Sequence, residues 1–161
     1  MLVSIGGLPA TGKSAVARVL AAELPAAYVR IDSIETAISR SEGQHEPTNG
    51  WELPPGYEVG YDIAADQLRL GLDVVAESVN PVRASRDAWR DVGLTAGAHV
   101  IEVEIVCSDV EEHRRRAEER VVDVAGLIKP TWEQIVNREY VPWERDRIVV
   151  DTALMNSEDS A

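Results

Sequence analysis

The chain has a single cysteine and no long apolar run. Cys107 is its one cysteine among 161 residues, so an internal disulfide is excluded. No run approaches the ~18 apolar residues that a transmembrane helix needs. The apolar start at Met1 is too short for a signal peptide and leads directly into a glycine-rich loop. We therefore expect a cytoplasmic protein without a membrane partner.

Lysine is also scarce, and positive charge is outnumbered. Lys13 and Lys129 are the two lysines among 16 basic residues, against 28 acidic residues and a net charge of −12. This charge repels polyanions, so it argues against nucleic acid as a partner. The three histidines have no metal-ligand spacing, which argues against a zinc site. A few clustered arginines could still bind one small phosphorylated ligand.

A phosphate-binding motif, GxxxxGK[ST], lies near the start of the chain. An apolar strand pattern precedes it and helical apolar spacing follows it, which is the context that this motif requires. Lys13 supplies charge to the β- and γ-phosphates, and the Ser14 hydroxyl ligates Mg²⁺. A chance match of a glycine-rich turn is the alternative. The predicted nucleotide contacts are Gly7, Leu8, Pro9, Ala10, Thr11, Gly12, Lys13, Ser14 and Ala15.

Strand-like and helix-like segments alternate along the rest of the chain. Strands are predicted near residues 1–5, 27–31, 73–77, 99–107 and 147–151, with helices between them. This alternation predicts a single α/β domain over residues 1–161, doubly wound, with a mainly parallel five-stranded sheet in a three-layer α/β/α arrangement. We expect a substrate-side loop at about 41–61, which includes His45 and Trp51, and a lid at about 114–131. Trp51 could cover a substrate or dock on the core.

Local patterns predict several element ends. Asp32 and Glu35 have the spacing of a capping box, as do the segments that begin at Ser108 and Thr131. Asn80 before Pro81 is typical of an N-cap and first helical residue, with Gly93 closing that helix and Pro142 the one after Thr131. Glutamates alternate with apolar residues at 101–107, which predicts a strand thinly covered on one side.

Two carboxylates follow predicted parallel strands at the edge where ligands bind. Asp32 could deprotonate or orient an acceptor hydroxyl, or act only as a helix cap. Glu77 is a candidate for substrate binding, and either Asp32 or Glu77 is a candidate for the water shell of Mg²⁺. The alternative for Glu77 is a solvated loop acid. Asn80 and Arg83 follow Glu77 and could hold substrate, although a surface ion pair is equally compatible with Arg83.

Arg116 and Arg120 are four residues apart on a predicted helix and share a face. They precede a stretch of weak periodicity, as lid arginines would if they closed over ATP and neutralised developing charge. A solvated face paired with neighbouring glutamates is the alternative. Lys13, Asp32, Arg116 and Arg120 are thus the predicted catalytic residues.

The sequence GLPATGKS, followed by YVRIDSIE at residues 28–35, resembles the small P-loop kinases. It looks most like the branch with chloramphenicol phosphotransferase, zeta-toxin-type kinases, gluconate kinase and adenylylsulfate kinase. Asp32 matches the acceptor-activating aspartate of chloramphenicol phosphotransferase, and the segment from Cys107 to Arg120 is similar to strand four and the lid helix. The resemblance implies strand order 2-3-1-4-5, ATP with Mg²⁺, and a small-molecule acceptor.

The predicted function is transfer of the γ-phosphoryl group of ATP to a hydroxyl of a small metabolite or antibiotic. A kinase of polynucleotide 5′-hydroxyls is an alternative, but Glu35 lies where such kinases tend to carry an arginine. A nucleotide-dependent ATPase or switch is another, because the loop motif alone does not separate kinases from ATPases. The acceptor, the preference for ATP or GTP and the oligomeric state are left open.

Overall fold

The computed structural model describes residues 1–42 and 53–155, so His45 and Trp51 lie outside the described residues. Strands and helices alternate as the periodicity predicts. The strands are β1 (Leu2–Gly6), β2 (Ala27–Arg30), β3 (Val74–Glu77), β4 (Val100–Val106) and β5 (Ile148–Asp151). The helices are α1 (Lys13–Glu23), α2 (Ile31–Glu42), α3 (Gly56–Arg69), α4 (Arg83–Thr95), α5 (Val110–Glu119) and α6 (Trp132–Val136).

The five strands form a parallel sheet in the order β2-β3-β1-β4-β5, which confirms the expected fold. The central strand β1 pairs with β3 on one side and β4 on the other, and Ile5 is in register with Glu77. In a parallel sheet the carboxyl ends of all strands meet at one edge. This edge therefore receives the loop after β1, the start of α2 and the end of β3.

Helices cover both faces of the sheet. One buried cluster joins Leu2, Val74 and Trp89 to the tyrosines of α3, and the other joins Val3, Ile5 and Val75 to α1. Neighbouring strand residues thus enter different clusters, as the alternation of side chains along a strand requires. The result is the predicted three-layer arrangement. None of the helices within the described ranges has the length and hydropathy to cross a membrane.

The helix after β2 begins earlier than its capping pattern predicts. It starts at Ile31, and Asp32 lies in its first turn, so the prediction of Asp32 as an N-cap is wrong. The Thr36 hydroxyl donates to the Asp32 carbonyl at 2.7 Å, and Glu35 accepts from the Gly56 amide instead of closing a capping box. Because Asp32 lies inside the helix and does not cap it, its carboxylate can face the ligand-binding edge of the sheet.

The predicted cap at Asn80 is also wrong. Val82 precedes α4, whereas Asn80 is fully buried with a φ of 52°. Gly93 does not end α4 but lies inside it. A Cβ there would come within 2.4 Å of a methyl group of Val100, so the helix can approach the sheet this closely only at a glycine.

The charged side of β4 is buried, not exposed. The carboxylate of Glu102 accepts two hydrogen bonds from Arg145, at 2.7 and 2.8 Å, and Glu104 accepts one from Arg147 at 2.6 Å. Both arginines come from the segment before β5. The cover on this side of the strand is therefore ionic, because carboxylates that lose water need charged partners.

The lid region differs in detail from its prediction. Asp109, not Ser108, caps α5, by accepting from the Glu112 amide at 3.0 Å. The capping box at Thr131 is confirmed, but α6 ends at Val136, well before Pro142. Residues 120–131 between the two helices form no helix or strand. The predicted 41–61 loop is shorter than expected, since α2 extends to Glu42 and α3 begins at Gly56.

Candidate active site

The loop between β1 and α1 is a rigid backbone cradle. Gly7 has a φ of 144°, and a Cβ there would lie 2.2 Å from the Ile105 carbonyl, so only glycine fits. The Thr152 hydroxyl donates to the Thr11 carbonyl at 2.7 Å, and His113 Nε2 lies 2.8 Å from the Pro9 carbonyl. The strand edge and α5 therefore hold the cradle from outside. The Gly7 amide donates to the Val79 carbonyl, whereas the amides of Gly12, Lys13 and Ser14 have no acceptor among the described residues and can face a ligand.

Lys13 is buried beneath this loop, and its ammonium donates to the Leu8 carbonyl at 2.8 Å. Burial lowers its pKa from 10.5 to about 8, and the negative charges of Glu77 and Asp32 oppose that effect. A buried ammonium with one carbonyl partner is poorly compensated. A phosphate in the cradle would supply the missing negative charge.

Ser14 and Glu77 form the second part of the site. The Ser14 hydroxyl donates to Glu77 Oε1 at 2.6 Å, the Tyr28 hydroxyl donates to Glu77 Oε2, and Arg30 Nε lies 3.7 Å from the same carboxylate. Glu77 is buried, so the solvated-acid alternative is wrong for this residue. A hydroxyl and a carboxylate beside a phosphate cradle are the hard oxygen donors that fit Mg²⁺.

Asp32 lines the same cavity as Lys13, Ser14 and Glu77. Its carboxylate is half-buried and makes no hydrogen bond to any described residue. It is close enough to Lys13 to raise the pKa of that lysine. The structure thus brings the four predicted residues together around one cavity of about 810 Å³, large enough for a nucleotide and a small second ligand.

The two predicted lid arginines differ in whether their side chains form hydrogen bonds. Arg116 Nε donates to Glu112 at 2.6 Å and Nη1 to the Thr152 hydroxyl at 2.8 Å. Arg120 lies one residue beyond the end of α5, so the prediction that it shares that helix is wrong. Arg120 still lines the cavity, and its charge lowers the pKa of Lys13.

Not every predicted residue reaches the cavity. Arg83 lies on the outer surface and donates to Glu144 at 2.9 Å, which supports its ion-pair alternative. Asn80 is buried behind the loop, where it accepts from the Ser78 hydroxyl at 2.7 Å. Neither of these two predicted substrate-binding residues lines the cavity. Of the predicted cradle residues, Gly7, Leu8 and Thr11 do not line the cavity.

Two features were missed by the sequence analysis. Arg138, just after α6, lines the cavity, and Asp123 of the lid accepts from both Arg30, at 2.9 and 3.0 Å, and Arg18, at 2.6 Å. The hydrogen bonds from Arg30 lower the pKa of Asp123 to about 2. These partners are far apart in the chain and occur in no motif, so no local signal could have identified them.

A second cavity of about 660 Å³ adjoins the first. Gly12, Ala15 and Arg116 line both, and the second is otherwise walled mainly by apolar side chains of α1. The two together form a polar chamber at the cradle and an apolar chamber beside it. A ligand with a charged end and a flat apolar end would match this pair.

A family model described as AAA domain matches residues 2–135. The chain belongs to this family. A search of curated proteins finds no match. The family match runs from β1 into α6, and so includes the cradle, Asp32, Glu77 and both predicted lid arginines.

Solved structures share the fold of this AAA domain protein. A provisionally assigned kinase from Chloroflexus aurantiacus is 20% identical, with 95% of this chain and 88% of that chain covered and a TM-score of 0.74. A sugar kinase from Janibacter sp. is 14% identical, with coverages of 99% and 88% and a TM-score of 0.67. Kti12 from Chaetomium thermophilum, bound to ADP-AlF3, is 17% identical, with 99% of this chain and 93% of that chain covered and a TM-score of 0.65. The chain has the fold of small P-loop kinases.

Proposed function

We propose that the protein is an ATP-dependent kinase that phosphorylates a hydroxyl of a small molecule. The observation that carries the proposal is the Asp32 carboxylate, which has no partner among the described residues and shares a cavity with the phosphate cradle. A hydrolytic ATPase also needs a group that orients its attacking water, but none of the described strands ends in the Asp-Glu pair that assembly ATPases commonly use. A kinase needs a carboxylate to orient or deprotonate the acceptor hydroxyl.

The nucleotide would occupy both chambers. Its triphosphate would lie against the cradle amides and the Lys13 ammonium, and its base in the apolar chamber beside Ala15. Ser14 and Glu77 would hold magnesium, which when bound neutralises phosphate charge. The Arg120 guanidinium would close on the transferring group. A kinase that uses ATP and a small acceptor would act in the cytoplasm.

The transfer step needs only residues already in place. Asp32 accepts the proton of the acceptor hydroxyl as its oxygen bonds to the γ-phosphorus, and the bond from that phosphorus to the bridging oxygen breaks to release ADP. Lys13 and Arg120 counter the charge that develops on the phosphoryl oxygens. The 120–131 segment, tied down through Asp123, would exclude water from the reaction.

The test is a comparison of two carboxylate variants and one lysine variant. Purified protein is incubated with ATP, magnesium and a metabolite extract, and mass spectrometry detects species that gain a phosphate. Asp32→Asn should bind the ATP analogue AMPPNP normally yet transfer phosphate about 10²–10⁴-fold more slowly. Asp62→Asn, at an exposed position on α3, should behave as the wild type, and Lys13→Ala should bind no nucleotide.

The other outcomes identify other functions. Inorganic phosphate released without a phosphorylated product would indicate an ATPase or switch. Transfer of phosphate to RNA or DNA, together with nucleic-acid binding that weakens steeply as salt rises, would indicate a polynucleotide kinase. An unchanged rate of transfer in Asp32→Asn would remove Asp32 from the mechanism.

A further inference from the structure

Arg138 occupies an unusual position at the edge of the cavity. It lies two residues beyond the end of α6 and lines the same cavity as Lys13 and Asp32. Its side chain is exposed and makes no hydrogen bond or ion pair with any described residue. An arginine that faces a cavity with all its donors unused is suited to bind an anion.

The side chains that line the cavity carry more positive than negative charge. The basic side chains that line it are Lys13, Arg115, Arg116, Arg120, Lys129 and Arg138, and the acidic ones are Asp32, Glu77 and Glu119. The lining thus carries three more positive than negative charges, in a protein whose net charge is −12. Glu112, which accepts from Arg115 and Arg116, offsets one of these positive charges, and magnesium-bound ATP would bring about two more negative charges at neutral pH. Arg138 therefore stands out by its lack of a protein partner among the described residues, not by the charge balance.

Most of these cations already have protein partners. Arg115 and Arg116 donate to Glu112, Lys129 to the Glu118 carbonyl and Lys13 to the Leu8 carbonyl. Within the described ranges, Arg120 and Arg138 are the two that donate no hydrogen bond from their side chains. Arg120 begins the lid at the end of α5, on the side of the cradle, and has been assigned above to the phosphates.

Arg138 is held on the other side of the cavity. The segment that follows it is fixed to the loop after β3: the Val141 amide donates to the Pro81 carbonyl at 2.8 Å, and Arg86 Nη2 donates to the Val141 carbonyl at 2.6 Å. Burial raises the pKa of Tyr57 on α3, and the charge of Arg138 opposes that effect; the same charge lowers the pKa of Lys13. Arg138 therefore lines the cavity between α3 and Lys13, and the wall of that cavity also carries Asp32.

We propose that the phosphoryl acceptor carries an acid group, such as a carboxylate, phosphate or sulfate, and that Arg138 binds it. The acceptor would present its hydroxyl to Asp32 and its acid group to Arg138. This inference rests on the proposed kinase function and narrows it from hydroxylated small molecules to acidic ones. It assigns Arg138 to acceptor binding, not to the nucleotide.

The first test uses inorganic phosphate as the probe and does not depend on finding the acceptor. Phosphate is titrated calorimetrically into protein saturated with magnesium and AMPPNP. Wild type should bind phosphate, and Arg138→Gln should bind it at least about tenfold more weakly with its affinity for AMPPNP unchanged within about twofold. Arg69→Gln, an exposed arginine of α3 paired with Asp66, is the matched control and should bind both as the wild type does.

Two results of this titration would overturn the inference. A loss of AMPPNP affinity in Arg138→Gln would assign the arginine to the nucleotide. Phosphate affinity equal in wild type and variant, or no phosphate binding by the loaded wild type, would show that Arg138 recognises no anion there.

The second test uses the acceptor pool itself. A metabolite extract is divided on an anion-exchange resin, and transfer from γ-labelled ATP is measured in the retained and unretained fractions. Transfer confined to the retained, acidic fraction supports the inference, and transfer to the unretained fraction overturns it. Transfer to neither fraction contradicts the kinase function itself, which separates failure of the two proposals.

Discussion

The ammonium of Lys13 is buried at a cost that should be measurable. Replacing it with methionine keeps the volume of the side chain but removes the charge. A pKa lowered from 10.5 to about 8 corresponds to about 3 kcal/mol of penalty on the charged form in the empty protein. The variant also loses the hydrogen bond to the Leu8 carbonyl, at about 1 kcal/mol. Lys13→Met should therefore be more stable than wild type by about 2 kcal/mol at pH 7 without nucleotide.

The stability difference between Lys13→Met and wild type should depend on pH. A lysine whose pKa is depressed by folding destabilises the folded state wherever it is protonated, so the penalty is complete below pH 8. Between pH 8 and 10.5 the folded lysine is neutral while the unfolded one is charged, and the penalty fades. The stability difference between Lys13→Met and wild type should shrink across that range.

Urea denaturation at pH 7 and pH 9.5, followed by circular dichroism, measures both effects. Lys129→Met is the control, because Lys129 is the other lysine of the chain and is exposed. It should change stability by less than about 0.5 kcal/mol at either pH. A Lys13→Met variant that is less stable than wild type at pH 7, or a difference independent of pH, would refute the reasoning. AMPPNP with magnesium should stabilise wild type and leave Lys13→Met unchanged.

Two further variants test the scaffold and the lid. Arg86→Met removes a buried guanidinium that donates to the carbonyls of Asn80 and Val141, so denaturation should show a loss of about 3 kcal/mol or more; an unchanged midpoint would contradict this role. Asp123→Asn weakens the contacts of the lid with Arg18 and Arg30, and proteolysis near residue 123 should accelerate while the denaturation midpoint changes little. Pairing with Arg30 lowers the pKa of Asp123 to about 2. The stabilisation of the lid by this ion pair is therefore present above about pH 4 and is lost as pH falls towards 2.

Local sequence patterns determined the elements of the fold. Apolar periodicity located five strands and the helices between them, because the repeat of side chains along a strand or helix is a property of the backbone alone. The motif that ends in Lys13 and Ser14 located the cradle for a similar reason, since its contacts to phosphate come from consecutive amides. The strand order came from the family resemblance and is confirmed by the sheet.

Tertiary packing decided where elements end. Asp32 and Asn80 have the residue types of helix caps, yet the helices begin one residue before Asp32 and three residues after Asn80. Gly93 looks like a stop signal but marks the close approach of α4 to Val100. Capping residues and glycines suit several local structures, and the choice among them depends on what packs against each one.

The sequence by itself determined the strand-loop-helix that would hold a triphosphate, and it placed Asp32 and Glu77 at the correct edge of the sheet. Only the tertiary structure showed that Arg83 lies outside the cavity, that Asp123 ties the lid to Arg30, and that Arg138 lines the cavity. The physical reason is distance along the chain. Consecutive residues build the phosphate cradle, so a local motif predicts it. A hydrogen bond between residues about 90 or more positions apart, such as that of Arg30 with Asp123, depends on how the whole chain folds.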